Sequence, residues 1–319
     1  MKSLTINEAA GFFREHNNFL ILTHRRPDGD TLGSAAVLCR GLRQLGKTAW
    51  ILENPEITEK YAALHQGLTK AAPADSDTLV CVDVASENML AQAFLPYRDR
   101  IALRIDHHGT ADSFTPMELV QPERAACGEL VYELLCRLGV TLDVPTAEAL
   151  YTAVSTDTGC FRYANTTPET FLVAAACAQV SDQLFRINQE LFDTNSLARL
   201  RLQGWLVENA RFLQGGKAVV CALPLEVEKS LGVTEDDMEN ISGFPRSIEG
   251  VKVAATLRQE PSGLVKLSVR AVPGYDAAAI CAKFGGGGHK GAAGASMDMT
   301  LEAAVEAVIG AISNLEIDN

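Results

Sequence analysis

Four short segments concentrate side chains that bind cations or handle protons. The first is His24-Arg25-Arg26-Pro27-Asp28-Gly29-Asp30. Pro27 and Gly29 bend the backbone, so one imidazole and two carboxylates are able to converge. Read alone, Asp-Gly-Asp before Thr31 is an acidic turn in which Asp30 caps a helix. His24, four residues earlier, moves the reading to metal binding. The second segment is Asp83 at the end of the apolar run LVCVDVAS, where a charge is costly unless paired or metal-bound. The third is Arg104-Ile105-Asp106-His107-His108-Gly109. Adjacent histidines on an extended chain point to opposite sides unless the loop bends, so one is expected to ligate and the other to face a phosphate. The fourth is Ser155-Thr156-Asp157-Thr158-Gly159, at the C-terminal end of an expected helix, where the helix dipole disfavours a carboxylate unless a cation is near.

Together these place His24, Asp28, Asp30, Asp83, His107 and Asp157 in one set of imidazoles and carboxylates. Ligation of that kind, without thiolates, suits Mn²⁺, with Mg²⁺ or Co²⁺ as substitutes. Two divalent ions roughly 3.5–4 Å apart stabilise both the attacking and the leaving oxygen of an in-line phosphoryl displacement.

The elements that must position these groups follow from the apolar pattern. Residues 5–16 read as a helix, with Ile6, Ala9, Ala10 and Phe13 on one face. Phe19–Leu22 has strand length and ends at the polar loop; a helix then runs to Gly46. Thr48–Leu52, Thr78–Val84 and Ile101–Ile105 read as further strands, and 124–139, 145–156 and 168–180 as helices. Strands alternating with helices imply an α/β fold with a mostly parallel sheet, helices on both faces, and ligands at the carboxyl edge of the strands. The amphipathic stretch 183–213 reads as a helical linker. Beyond it, Lys217–Leu223, Val251–Gln259 and Leu264–Val272 read as strands, Pro261-Ser262-Gly263 as a hairpin turn and 301–314 as a helix. The expected organisation is a catalytic domain over 1–182, a linker over 183–213 and a smaller α/β domain over 214–319.

Composition narrows the partners. At 319 residues the chain exceeds what one core usually organises. Its net charge of −12 argues against capture of duplex DNA, which needs an extended basic surface. A short anionic substrate held by metals and one or two arginines remains compatible. No apolar run reaches membrane-spanning length, and the N-terminal segment has no secretory pattern, so a cytoplasmic protein is expected. The eight cysteines stand singly with no Cys-x-x-Cys pair, which reads as buried free thiols.

A fifth segment lies in the C-terminal region, Phe284-Gly285-Gly286-Gly287-Gly288-His289-Lys290-Gly291. Glycines here let backbone amides approach an anion, and His289 and Lys290 add donors; a flexible hinge is the plainer reading. No Gly-Lys-Ser/Thr follows, so it is not a Walker A loop.

The order and spacing of the four N-terminal motifs resemble the DHH phosphoesterase superfamily, whose name matches Asp106-His107-His108. The glycine segment resembles the loop of the DHH-associated C-terminal domain. The resemblance implies that His24 and Asp28 hold one ion, that Asp30, His107 and Asp157 hold the other, and that Asp83 bridges them. It implies catalytic roles for His108, near the scissile phosphate, and for Asp106, which orients the histidines. It further implies that Gly286, Gly287, Gly288 and His289 bind the nucleotide end of the substrate and that Arg270 contacts a phosphate, although Ala271 stands where the family more often has serine.

Length and domain content resemble the compact bacterial nanoRNase and phosphoadenosine phosphate (pAp) phosphatase type, the NrnA type. The resemblance therefore implies a Mn²⁺-dependent hydrolase with two ions per active site. It would shorten very short single-stranded oligoribonucleotides to mononucleotides and convert pAp to AMP, and it is expected to form a homodimer. The expected closure of the smaller domain over a cleft would leave little room for a polymer. Rival readings are a phosphodiesterase of cyclic or linear dinucleotides and a nucleotide-binding regulator without turnover.

Overall fold

The computed structural model describes residues 2–109 and 113–315. The chain divides into two compact units, Met1–Thr194 and Asn195–Asn319.

The first unit is built on a seven-stranded sheet whose pairings are all parallel. Its strands are β1 (Lys2–Ser3), β2 (Asn18–Leu22), β3 (Thr48–Leu52), β4 (Thr69–Lys70), β5 (Thr78–Val82), β6 (Ile101–Asp106) and β7 (Met117–Val120). They lie in the order β1-β7-β6-β5-β2-β3-β4. From β2 the chain moves outward through β3 and β4, then returns to place β5 on the other side of β2. That reversal opens a crevice at the carboxyl ends of β2 and β5, where α/β sheets bind ligands. Because β6, β5 and β2 are consecutive and parallel, the segments after all three strands emerge at the same edge.

Alternation along the strands sends side chains to two cores. Phe19 and Ile21 enter one with helices α1 (Ile6–Glu15), α2 (Gly29–Gln44), α3 (Cys127–Leu138) and α4 (Val144–Asp157). Leu20 and Leu22 enter the other, with Leu79, Cys81 and Phe94 of the 3₁₀ stretch Gln92–Arg100. A further helix, α5 (Pro168–Ala178), packs on α4. Thr5 caps α1 through a reciprocal bond with Glu8.

Two departures from the expected elements have local causes. The strand over 78–84 stops at Val82 because Asp83 takes a left-handed φ of 57°. Strands β1, β4 and β7 are not legible in the sequence: two are two-residue pairings, and Glu118 interrupts the apolar pattern of the third. The stretch 183–213 holds helical residues Leu184–Asn188, a π-turn over Gln189–Asp193, helix α6 (Leu197–Glu208) and strand β8 (Arg211–Leu213). The boundary between the units falls within it, after Thr194.

The second unit carries a six-stranded sheet of β8, β9 (Ala218–Leu223), β10 (Val253–Gln259), β11 (Val265–Ala271), β12 (Gly287–Gly288) and β13 (Ala292–Met297). The order is β12-β13-β11-β10-β9-β8, mixed in direction. The expected hairpin joins β10 to β11, with Gly263 at φ 89°. Helices α7 (Ala277–Ala282) and α8 (Leu301–Ser313) cover one face of this sheet. All eight cysteines are free; Cys136 is exposed, Cys160 half-buried and the rest buried. Among the described residues no helix is long and apolar enough to cross a membrane.

Candidate metal centre

His24 follows β2 and is almost fully buried. Its Nδ1 lies 2.7 Å from the Arg25 carbonyl, which accepts only, so Nδ1 carries the hydrogen and Nε2 presents a lone pair. That Nε2 is 3.6 Å from Asp83 Oδ2 and 3.9 Å from Asp28 Oδ1. The His24 backbone is itself held, because Asn54 donates to its carbonyl at 2.9 Å. His107, after β6, repeats the device. Its Nδ1 faces the Arg124 carbonyl at 3.1 Å. Its Nε2 is then 3.7 Å from Asp30 Oδ2, 3.5 Å from Asp83 Oδ1 and 3.4 Å from Asp157 Oδ2.

Asp28, not Asp30, caps α2: its Oδ1 accepts from the Thr31 amide at 3.0 Å. The plain-turn reading of this segment, set aside for metal binding, had the cap at Asp30. The helix begins at Gly29, so Asp30 lies inside its first turn and its side chain is free for other partners. It accepts from Ser34 Oγ at 2.9 Å and from the amides of Cys127 and Gly128, at 2.6 and 3.0 Å. Those amides open α3, so a second helix N-terminus stabilises the same carboxylate.

Asp83 lies between the two histidines, 2 % exposed. Its Oδ2 accepts from Thr31 Oγ1 at 2.6 Å. Its Oδ1 is buried without a hydrogen-bond partner among the described residues, although His107 Nε2 and His108 Nδ1 both stand 3.5 Å away. The His107 spacing is long for a hydrogen bond and suits two ligands around a common cation, whereas His108 Nδ1 is engaged by Asp106. Asp157 ends α4, as the sequence placed it.

The adjacent histidines do not point apart, because the loop bends. Asp106 Oδ1 accepts from both their amides, at 2.8 and 3.2 Å, and from His108 Nδ1 at 2.8 Å. The chain bends around that carboxylate, and the two rings sit on one side with centroids 4.6 Å apart. His108 is the more exposed of the pair, with Nε2 left for another partner.

The electrostatics express crowded negative charge. Burial, then the Asp83 charge, raises the Asp28 carboxyl, and burial with Asp83 and Asp157 raises Asp30 well above the usual carboxylate range. Burial pushes Asp157 up to about 7. Burial alone would also raise Asp83, but His107, His24 and His108 outweigh it and hold that carboxyl below its ordinary value. Burial would lower His107; the surrounding Asp83, Asp30 and Asp157 instead raise it to about 11. The Asp106 bond raises His108. Carboxylates packed this closely call for positive charge at their centre. Three groups among the described residues have donor atoms within 4.8 Å of one another: His24-Asp28-Asp83, Asp30-His107-Asp157 and Asp83-His107-His108. The donor set thus fits divalent cations, with all six sequence-predicted ligands brought together.

The residues that sequence reasoning missed are supporting ones: Thr31, Ser34 and Asn54, the N-terminus of α3, and Arg104. Arg104 alone had a visible signal, a charge inside the apolar run IALRID.

In the second unit, Arg270 pairs in register with Ala254 and Ala292. The glycine segment is a tight hairpin rather than a hinge. His289 and Ala292 exchange backbone bonds at 2.8 and 3.2 Å, and β12 pairs with β13. A Cβ at Gly286 would meet the Gly294 carbonyl at 2.2 Å, and one at Gly288, already at φ 141°, the Ala292 carbonyl at 2.7 Å. Those glycines answer to backbone packing; a Cβ at Gly287 would meet nothing within 4 Å.

Comparison with known proteins identifies the family and the fold. Residues 18–154 match the DHH family N-terminal domain and residues 215–314 the DHHA1 domain. A relative from Thermus thermophilus, bifunctional oligoribonuclease and PAP phosphatase NrnA, is 34% identical, over 92% of this chain and 88% of that protein. The Bacillus subtilis protein of the same name is 25% identical, over 88% and 90%. The crystal structure of an exopolyphosphatase-related protein from Bacteroides fragilis has the same fold, with a TM-score of 0.86 at 24% identity, covering 96% of this chain and 95% of that one.

Proposed function

The chain belongs to the DHH family, and from that premise we propose that it is a metal-dependent phosphoesterase that hydrolyses very short oligoribonucleotides to mononucleotides and converts pAp to AMP. The observation that carries this reading is the division of Asp83, whose Oδ2 faces His24 and whose Oδ1 faces His107 and His108. One carboxylate serving two donor clusters is an arrangement that suits a two-cation site.

In this reading His24, Asp28 and Asp83 hold one cation. Asp30, His107 and Asp157 hold the other, with Asp83 shared. Mn²⁺ is the proposed ion, on the mixed imidazole and carboxylate donors. When bound, such a pair supplies Lewis-acid stabilisation to the attacking and leaving oxygens of an in-line displacement. The chain's own groups do the rest. The Arg25 and Arg124 carbonyls fix the tautomers of His24 and His107, so that each offers Nε2. Asp106 accepts from His108 Nδ1 and favours the imidazolium, whose Nε2–H would then donate to a phosphoryl oxygen and offset developing charge. Arg270, Gly286, Gly287, Gly288 and His289 are the proposed substrate-binding residues of the second unit. The relatives named for oligoribonuclease and PAP phosphatase activity support the substrate assignment.

The test is a ranking of initial rates with Mn²⁺ on labelled RNA of two to about twenty nucleotides, pAp, cyclic and linear di-AMP, and pyrophosphate. The shortest RNAs and pAp should lead, and metal removal should abolish turnover. Preference for the cyclic dinucleotide would replace the substrate assignment, and tight binding without hydrolysis would replace the enzymatic one.

A further inference from the structure

Arg104 is 1 % exposed and lies in the interior of a parallel sheet, in a strand otherwise apolar up to Asp106. Burying a guanidinium costs more than an apolar residue of similar size unless opposite charge and acceptors surround it. The surroundings explain what it does. Arg104 and Asp106 are two apart on β6 and share one face of the strand, with Nη1 3.6 Å from Asp106 Oδ2. That oxygen is buried and has no hydrogen-bond donor among the described residues. The same Nη1 donates to the Ala85 carbonyl at 2.8 Å and lies 3.3 Å from that of Val84. Both carbonyls belong to the turn that leaves Asp83 in its left-handed conformation. On the other side Nη2 is 3.3 Å from Glu118 Oε2, directly across the β6–β7 pairing. The Phe114 ring covers the guanidinium, 5.3 Å from Cζ.

One buried group therefore touches both halves of the machinery. It meets the turn that aims the Asp83 carboxylate, and it meets the carboxylate that gathers the His107 and His108 amides and the His108 ring. We propose that Arg104 is a positioning residue of the reaction, tying the Asp83 turn and the Asp106 carboxylate into one rigid piece so that Asp83 and the histidine pair keep a fixed relation. The proposal rests on the phosphoesterase reading above. A planar fork suits this geometry, because it donates to two carbonyls while holding its charge against two carboxylates; an ammonium keeps the charge but not the spread.

The test uses the full chain with Mn²⁺, pAp and a labelled dinucleotide, comparing wild type with Arg104→Met and Arg104→Lys. Folding is checked by circular dichroism, and Mn²⁺ stoichiometry and affinity by calorimetry. Arg104→Met should lower kcat per metal-loaded site by about 10²-fold with KM nearly unchanged, the scale associated with misplacement of reacting groups by about 1 Å. Its Mn²⁺ affinity should weaken about tenfold. Arg104→Lys should fall between, at least about tenfold below wild type. A purely structural role predicts a lower Tm with kcat per loaded site unchanged, and that result would overturn the proposal. If Arg104→Met does not fold, Arg104→Lys decides: a wild-type kcat rejects positioning, a depressed kcat at unchanged KM supports it. Absence of hydrolysis by the wild-type protein would instead overturn the phosphoesterase reading, so the two failures are distinct.

Discussion

Asp83 concentrates the chemistry of the site in one residue. It is buried, left-handed in φ, bonded through one oxygen and without a donor at the other. A non-glycine residue in that conformation costs about 1–2 kcal/mol, and its persistence beside ligand-type side chains is the mark of a functional constraint. Replacing it removes a donor from two clusters at once. Asp83→Ala should lower Mn²⁺-dependent hydrolysis of pAp by more than about 100-fold, beyond the loss usual for a residue that only supports a ligand. Calorimetry should show reduced Mn²⁺ stoichiometry as well; wild-type rates would remove Asp83 from the mechanism. At this scale the ligand-type residues named from the sequence do lie together, whereas reading the segment as a plain acidic turn puts the cap at Asp30 rather than Asp28, because the two have the same local chemistry. Which one lies inside α2 depends on where the Pro27 bend lets the helix begin.

Among elements, α2 matters most, since Asp28 caps it and its first turn holds Asp30. The 3₁₀ turn Ala63–His65 packs against it, and His65 Nε2 donates to the Leu32 carbonyl at 3.0 Å. Burial lowers His65 from 6.5 to about 4. Between those pH values the unfolded chain binds a proton that the folded chain does not, so stability falls as the solution is acidified and levels off below about 4. The loss assignable to this residue is about 3 kcal/mol. Denaturant unfolding from pH 7 to pH 4 should therefore show wild type falling more steeply than His65→Gln; parallel profiles would remove His65 as the cause. Long periodic elements were legible because burial repeats along them. The short strands were not, since β1 and β4 are two-residue pairings created by their neighbours.

For the whole molecule, the net charge of −12 leaves little long-range attraction for a polyanion. Substrate affinity must then come from few contacts. The proposed metal ligands all lie in the first unit, and the proposed nucleotide-binding residues lie in the second. Arg270→Ala and His289→Ala should raise KM for pAp by about tenfold or more, as expected for loss of a charged hydrogen bond. Mn²⁺ affinity should stay unchanged in both. A change in metal stoichiometry instead would contradict this division of labour.

Local facts with a chemical reason were readable along the chain: which loops follow which strands, and which side chains are of ligand type. Relations among distant segments came only from packing. Residues 24, 83, 107 and 157 meet because β2, β5 and β6 are adjacent and parallel and α4 ends beside them, an outcome no single window contains. The tautomers of His24 and His107 depend on the carbonyls that their Nδ1 atoms reach. The folding of the His107–His108 pair onto one side depends on Asp106, and the aim of Asp83 on a turn held by Arg104. Spacing along a chain limits what neighbours are able to touch; only packing selects the partner.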